Sequence, residues 1–152
     1  MIGHLQQNKV KIAVEHFDMI EAADSWCLAQ TLDRYCENIQ KKMPVLVEVN
    51  SGHEASKSGV LLEVVDELVV QMSKLKYLCV EGLMTMEPRF GDPEESRPYF
   101  KAIRKVFERI AARNLPNMTM RFLSMGMSNN YQIAIEEDAN IVRIGTRLFG
   151  ER

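Results

Sequence analysis

Two clusters of small hydrogen-bonding residues near the end of the chain have the chemistry to bind a phosphate. Residues 124–128 extend a short apolar run, and Gly145 and Thr146 follow the apolar run at residues 141–144. A strand that ends in Gly, Ser or Thr before a helix presents free N–H groups, a hydroxyl group and the positive end of a helix dipole. Since Arg143 lies on the second run, the two clusters together predict one site for an anionic ligand.

Two structural interpretations of these residues stay open at this point. Ser124, Ser128 and Thr146 are also typical of helix caps and turns, which occur in every protein. Arg143 lies inside an apolar strand, where an unpaired charge is costly, so it needs a partner or a ligand. An ion pair with Glu48 or Glu81 on a neighbouring strand would satisfy it without any ligand.

The elements that must position these residues alternate between short apolar runs and longer amphipathic stretches. The predicted strands are residues 1–5, 19–22, 45–49, 78–84, 121–124 and 141–144, and the predicted helices are residues 8–15, 25–40, 61–75, 97–113 and 131–137. This alternation predicts an α/β fold with a parallel sheet and crossover helices. Polar residues follow several of the strands, as in a (β/α)8 TIM barrel, where the phosphate site typically follows the last two strands. Because a full barrel needs roughly 200–250 residues, we expect an incomplete barrel of about six βα units.

Length and composition predict one ordinary domain covering residues 1–152, with 46% apolar and 26% charged residues. A net charge of −2 gives no basic field for nucleic acid or for a membrane surface. Cys27, Cys36 and Cys79 have no metal-ligand spacing, so we expect free thiols, no metal site and a cytoplasmic location. No apolar run is long enough to cross a bilayer.

Several motifs, in order along the whole chain, carry a resemblance to a known family. They are Gly3-His4-Leu5-Gln6-Gln7-Asn8-Lys9, Glu48-Val49-Asn50-Ser51-Gly52, Ser56-Lys57-Ser58-Gly59, Glu81-Gly82-Leu83-Met84-Thr85, Ser124-Met125-Gly126-Met127-Ser128 and Val142-Arg143-Ile144-Gly145-Thr146. With these motifs the chain resembles the pyridoxal phosphate homeostasis proteins, which are barrel relatives of the alanine racemase N-terminal domain. The resemblance implies a pyridoxal 5'-phosphate (PLP) carrier active in vitamin B6 homeostasis, without catalytic residues or turnover.

The resemblance also implies the roles of individual residues at the C-terminal face of the barrel. Ser128, Gly145 and Thr146 match the residues that hold the phosphate, with Met127 beside them. Arg143 matches the arginine that faces the pyridine nitrogen. An arginine there disfavours protonation of that nitrogen and makes the ring a poorer electron sink.

Members of this family begin with a helix and two strands before the segment that matches Met1, and the first strand carries the Schiff-base lysine. We therefore expect a truncated barrel without its first two strands, which binds PLP non-covalently at most. Lys9 and Lys57 match other family positions, and Lys57 is expected to be an exposed loop lysine. Two alternatives remain: a fragment of a racemase-like PLP-dependent enzyme acting on amino acids, and a chain that self-associates through open sheet edges.

Overall fold

The computed structural model describes residues 1–54, 57–88 and 91–150. The strands are β1 Ile20–Ala23, β2 Met43–Asn50, β3 Val60–Leu61, β4 Leu78–Thr85, β5 Met118–Met127 and β6 Ile141–Arg143. The helices are α1 Val10–His16, α2 Trp26–Asn38, α3 Val65–Met72, α4 Arg97–Ala111, α5 Tyr131–Glu136 and α6 Thr146–Phe149, with short 3-10 helices at Gln7–Lys9 and Pro93–Ser96. Within these ranges no helix has the length and apolar character needed to cross a membrane.

The strands form one sheet in the order β1-β2-β4-β5-β6, and the short β3 pairs with β2 beside this path. Every pair is parallel. The predicted α/β alternation and parallel sheet are therefore confirmed. Because all strands run the same way, their carboxyl ends lie along one edge of the sheet.

The helices cover one face of the sheet, and the main core lies between the helices and that face. Along β2, Val45, Val47 and Val49 belong to this core, as alternation along a strand requires. In α4, the side chains of Phe100, Ile103, Val106 and Ile110 recur at helical spacing and are buried in the same core. The opposite face has a smaller apolar cluster made of Ala22, Leu46 and Met84.

The prediction of a strand at residues 1–5 is wrong. Only Met1 pairs with its neighbour: its terminal ammonium donates to the Met19 carbonyl at 2.7 Å, and its carbonyl accepts from the Glu21 N–H at 2.8 Å. The chain bends at Gly3, which ends this pairing after one residue.

The predicted helix at residues 61–75 begins later, at Val65, because Val60 and Leu61 extend along β2 as β3. Leu61 and Val64 are exposed, so they do not belong to the buried stripe that the periodicity indicated. Residues 55 and 56, which include Ser56 of the motif at residues 56–59, and residues 89 and 90 lie outside the described residues.

Gly82 allows β4 and β5 to approach closely at an irregularity in their pairing. The register between the two strands shifts between Val80 and Gly82. A Cβ atom at Gly82 would lie 1.8 Å from the Phe122 carbonyl oxygen, so no larger residue fits without moving the strands. This contact fixes the position of the carboxyl end of β5.

Candidate functional site

A cleft of about 1120 Å³ lies at the edge where the strands end. The five residues predicted from the sequence to bind the cofactor all line it: Met127, Ser128, Arg143, Gly145 and Thr146. Met127 ends β5, Arg143 ends β6, and Thr146 begins α6. The parallel sheet thus brings the two sequence clusters together at one site.

Ser128 connects the end of β5 to the turn between β6 and α6. Its Oγ accepts hydrogen bonds from the Gly145 N–H at 3.1 Å and from the Arg147 N–H at 3.3 Å. Apart from its two chain neighbours, no described residue has an atom within 4 Å of the position that a Cβ at Gly145 would take, so the turn has space on that side. An anion at this point would accept from the same N–H groups and from the Ser128 hydroxyl.

Arg143 is held from two neighbouring strands. Its Nη1 donates to Ser124 Oγ at 2.7 Å, and its Nη2 donates to the Thr85 carbonyl oxygen at 2.6 Å. Among the described residues its guanidinium group makes no ion pair with Glu48 or Glu81. Glu81 instead accepts from Arg121 Nη2 at 2.6 Å. The ion-pair alternative raised by the sequence is therefore wrong.

Three buried carboxylates surround this arginine at a greater distance. Burial lowers the pKa of Arg143, while Glu21, Glu87 and Glu48, in that order, oppose this shift. Burial raises the pKa of Glu48 to about 7, with a smaller contribution from Asp24, whereas His4 and Arg143 act in the opposite direction. Three carboxylates thus surround one guanidinium group, and the raised pKa of Glu48 favours its protonated form below about pH 7.

Asn130 organises the end of β5 through its side-chain amide. Its Oδ1 accepts from the Met127 N–H at 2.9 Å, and its Nδ2 donates to Glu87 Oε1 at 2.6 Å and to Ser96 Oγ at 2.8 Å. Glu87 is fully buried and lines the cleft, but its Oε2 has no hydrogen-bond partner among the described residues. This carboxylate oxygen is available to a ligand or to a proton.

Sequence reasoning missed Glu21, Glu87 and Asn130 as residues of the site. Glu21 lies within the predicted strand at residues 19–22, where a carboxylate in an apolar run is a signal that it needs a partner. Glu87 and Asn130 gave no comparable signal, because each lies in a polar loop where such residues are ordinary. Only the fold shows that the two loops meet.

Lys57 is not the exposed loop lysine that the sequence predicted. Its Nζ donates to the Glu87 carbonyl oxygen at 2.7 Å and pairs with the Glu54 carboxylate, and its side chain is 23% exposed. These contacts fasten the loop after β2 to the loop after β4, beside the cleft.

His4 lies near Ser58 and Asp24, but the three residues are not a catalytic triad. Both Ser58 Oγ, at 3.0 Å, and Asp24 Oδ2, at 3.4 Å, approach the same ring nitrogen, Nδ1. A triad requires the serine and the aspartate on different ring nitrogens. Across residues 1–54, 57–88 and 91–150, no group of three or more His, Cys, Asp or Glu side chains is placed to hold a metal ion.

Comparison with known protein families gives one match along the whole chain. The sequence profile of the alanine racemase N-terminal domain matches residues 1–152. A pyridoxal phosphate homeostasis protein of Aquifex aeolicus is 41% identical over 151 residues, which are 99% of this chain and 65% of the relative. A protein of the same name from a Synechocystis species is 34% identical, and the chain covers 68% of it. The chain thus spans about two thirds of the length of these relatives.

Solved structures show the same fold. A protein from Bifidobacterium adolescentis superposes with a TM-score of 0.93 at 35% identity, over 97% of this chain and 59% of that protein. PipY of Synechococcus elongatus, solved with PLP bound, superposes with a TM-score of 0.86 at 32% identity, over 97% and 68% of the two chains. Alanine racemase of Clostridium difficile, at 19% identity and a TM-score of 0.75, shares the fold alone. The predicted incomplete barrel is confirmed.

Proposed function

Because this chain belongs to the alanine racemase N-terminal domain family, and within it to the pyridoxal phosphate homeostasis proteins, we propose that it binds PLP in the service of vitamin B6 homeostasis. One observation carries the proposal for these residues: Ser128, Gly145, Thr146, Met127 and Arg143 line one cleft at the carboxyl edge of the sheet. The relative PipY, with PLP bound in its solved structure, supports the choice of ligand.

The residues present fit the two polar ends of PLP. The Ser128 hydroxyl and the N–H groups of the turn from Gly145 through Thr146 to Arg147 would hold the phosphate, with Met127 against the ligand. Arg143 would face the pyridine nitrogen, since two of its N–H groups are used by Ser124 and the Thr85 carbonyl and others remain. At about 1120 Å³, the cleft is slightly larger than the range of about 300–1,000 Å³ that is typical of ligand sites.

The same arginine suits a PLP carrier, or a racemase-like site, better than a transaminase. When bound, PLP supplies an electron-withdrawing ring, and that property depends on protonation of the ring nitrogen. A guanidinium group beside that nitrogen disfavours the proton. We propose that the chain carries PLP and does not transform amino acids, in keeping with its similarity to the pyridoxal phosphate homeostasis proteins.

We propose that the binding by these 152 residues is non-covalent. Lys57 is the lysine found beside the cleft, and its amine is already engaged by the Glu87 carbonyl and by Glu54. A cytoplasmic location is part of the proposal, supported by the three free thiols of Cys27, Cys36 and Cys79.

The proposal is tested by comparing the affinities of PLP and pyridoxal, which lacks the phosphate. We expect PLP to bind at least about tenfold more tightly, because the phosphate would gain several hydrogen bonds at Ser128 and the turn beyond it. Equal affinities, or no binding of PLP, would contradict the proposal. Treatment of the complex with borohydride should leave no cofactor attached to Lys9 or Lys57, and labelling of either lysine would contradict non-covalent binding.

One observation favours the rival function of a racemase-like enzyme. The Glu87 Oε2 atom is buried, lacks a hydrogen-bond partner in the part of the chain that the structure describes, and belongs to a residue that lines the cleft, as expected of a group that accepts a proton. If this rival is correct, the PLP-loaded chain racemises amino acids and Glu87→Gln abolishes the activity. Our proposal expects no racemisation by either protein.

A further inference from the structure

Two hydrogen bonds, one partly buried and one buried, connect Arg143 to a carboxylate on the far strand of the sheet. Arg143 Nη1 donates to Ser124 Oγ at 2.7 Å, and Ser124 Oγ donates to Glu21 Oε2 at 2.6 Å. Ser124 is fully buried, and Glu21 is 8% exposed and lines the cleft. Arg143 lies on β6, Ser124 on β5 and Glu21 on β1, so the connection joins three strands of the sheet.

The second hydrogen bond of the guanidinium group comes from another direction. Arg143 Nη2 donates to the Thr85 carbonyl oxygen at 2.6 Å. The Thr85 hydroxyl in turn donates to the Val49 carbonyl oxygen at 2.7 Å and contacts Ser51 Oγ at 3.0 Å, so the backbone that accepts from Arg143 is itself fixed. With both terminal nitrogens held, the plane of the guanidinium group is defined before a ligand arrives.

We propose that Glu21 and Ser124 are positioning residues, which hold the Arg143 guanidinium group in the orientation that receives the ligand's ring nitrogen. The proposal rests on the proposed function for its ligand, but the orientation itself belongs to the free protein. Neither residue touches the ligand in this account; each acts through Arg143.

The negative charge of Glu21 compensates for burial of the positive charge of Arg143. Burial disfavours the charged guanidinium group, and Glu21 is the largest of the opposing contributions. The Ser124 hydroxyl accepts from Arg143 and donates to Glu21. It thereby connects the two charged groups through two short hydrogen bonds. Stability alone does not require the arrangement, because buried polar groups are often replaced by apolar ones at little cost. A role in orienting the Arg143 guanidinium group explains why Glu21 and Ser124 are connected to it.

The test uses Ser124→Ala and Glu21→Gln, with Ser73→Ala and Glu137→Gln as matched controls. Ser73 is a buried serine that donates to the Val70 carbonyl, and Glu137 is a buried glutamate paired with Arg97, both outside the cleft. The first readout is the NMR spectrum of the Arg143 guanidinium protons in the ligand-free protein. We expect resolved, slowly exchanging signals in the wild type and in both controls, and averaged signals in Ser124→Ala. Glu21→Gln should show partial averaging, because its amide oxygen still accepts a hydrogen bond.

The second readout is the affinity for PLP. Ser124→Ala should weaken binding about tenfold and Glu21→Gln by a smaller factor, with both controls unchanged. Unaltered Arg143 signals in Ser124→Ala and Glu21→Gln would overturn the inference even if PLP binds. Altered signals with no binding of PLP to any protein would instead support the positioning role and contradict the proposed function. If Ser124→Ala does not fold, the decision rests on Glu21→Gln, whose unchanged signals and affinity would overturn the inference.

Discussion

At the scale of single residues, the cleft combines an anion-binding end with an acidic interior. The turn beyond Ser128 offers N–H donors, while Glu21, Glu48 and Glu87 surround Arg143. PLP has the matching polarity, since its phosphate is an anion and its ring nitrogen accepts a hydrogen bond from an arginine. The acidic interior has a consequence for stability, because burial raises the pKa of one of these carboxylates, Glu48.

We predict that Glu48 makes folding less favourable as the pH rises. Burial raises its pKa from 4.5 to about 7 in the folded chain, so between these values the folded state holds a proton that the unfolded state has lost. The stabilisation is complete below about pH 4.5 and is lost as the pH rises through about 7. Urea unfolding should show Glu48→Gln and wild type equally stable at pH 4.5, and the variant more stable at pH 8 by roughly 2–3 kcal/mol.

Glu15→Gln is the control for this measurement, because Glu15 is exposed on α1. Its stability relative to wild type should not change with pH. If Glu48→Gln is as stable as the wild type at pH 8, Glu48 does not titrate near neutral pH in the folded protein.

At the scale of elements, the site depends on how closely β4 approaches β5. The Gly82→Ala substitution places a methyl group against the Phe122 carbonyl oxygen, where the available distance is 1.8 Å. Backbone atoms cannot swing aside as a side chain can, so we expect a loss of about 3 kcal/mol or more in the free energy of unfolding. Denaturant unfolding measures it, and Gly3→Ala, where no atom lies within 4 Å of the added Cβ, is the control. Equal losses in the two variants would show that the contact is unimportant.

The side chain of Lys41, although distant in the sequence, caps the carboxyl end of α1. Its Nζ donates to the Val14 and Phe17 carbonyl oxygens, both at 2.8 Å, near the negative end of that helix. We predict that Lys41→Met lowers the free energy of unfolding by about 1–2 kcal/mol. The neighbouring substitution Lys42→Met should have little effect, because Lys42 is exposed. A thermal melt that shifts equally for both would contradict the capping role.

Sequence patterns predicted the elements that have a clear period. The strands around residues 45–49 and 78–84 and the long helix at residues 97–113 were found because apolar positions recur along each of them. The segment at residues 1–5 looked equally apolar but forms no strand, because its only ladder contact is at Met1. Whether a segment pairs with a neighbouring strand depends on the tertiary fold, and the apolar composition of the segment does not predict it.

The site itself was predictable where the residues that follow one strand carry a signal of their own. Ser128, Gly145 and Thr146 follow their strands directly, and the structure places them together in the cleft. The pairings of Glu21 with Ser124 and of Glu87 with Asn130 join residues separated by 103 and 43 positions. Such contacts depend on the register and order of the strands, which a single sequence does not specify.

At the scale of the whole molecule, the sheet has β1 at one end of its strand order and β6 at the other. Each presents unpaired backbone groups of the kind that promote association of chains, although Met1 covers part of β1. Leu148 and Phe149 lie beyond β6 and are 70% and 87% exposed. These features support the alternative raised by the sequence, that the chain self-associates.

We predict that the sedimentation coefficient of the chain increases with concentration. The double substitution Leu148→Ser and Phe149→Ser should reduce this dependence, because it removes exposed apolar surface beside the edge strand. Substitution of the exposed Ile12 by Ser, on α1 and away from the sheet edges, is the control. A concentration-independent monomer with cooperative unfolding would contradict self-association.

The central claim is that the turn after β6 and Ser128 together bind the phosphate of PLP. The most direct measurement is the ³¹P resonance of PLP titrated with the wild-type chain and with Ser128→Ala, using Ser73→Ala as the control. We predict a saturable shift of the resonance with wild type and with the control, and binding about tenfold weaker with Ser128→Ala. An unshifted resonance with the wild type, or the same titration curve for all three proteins, would contradict the claim.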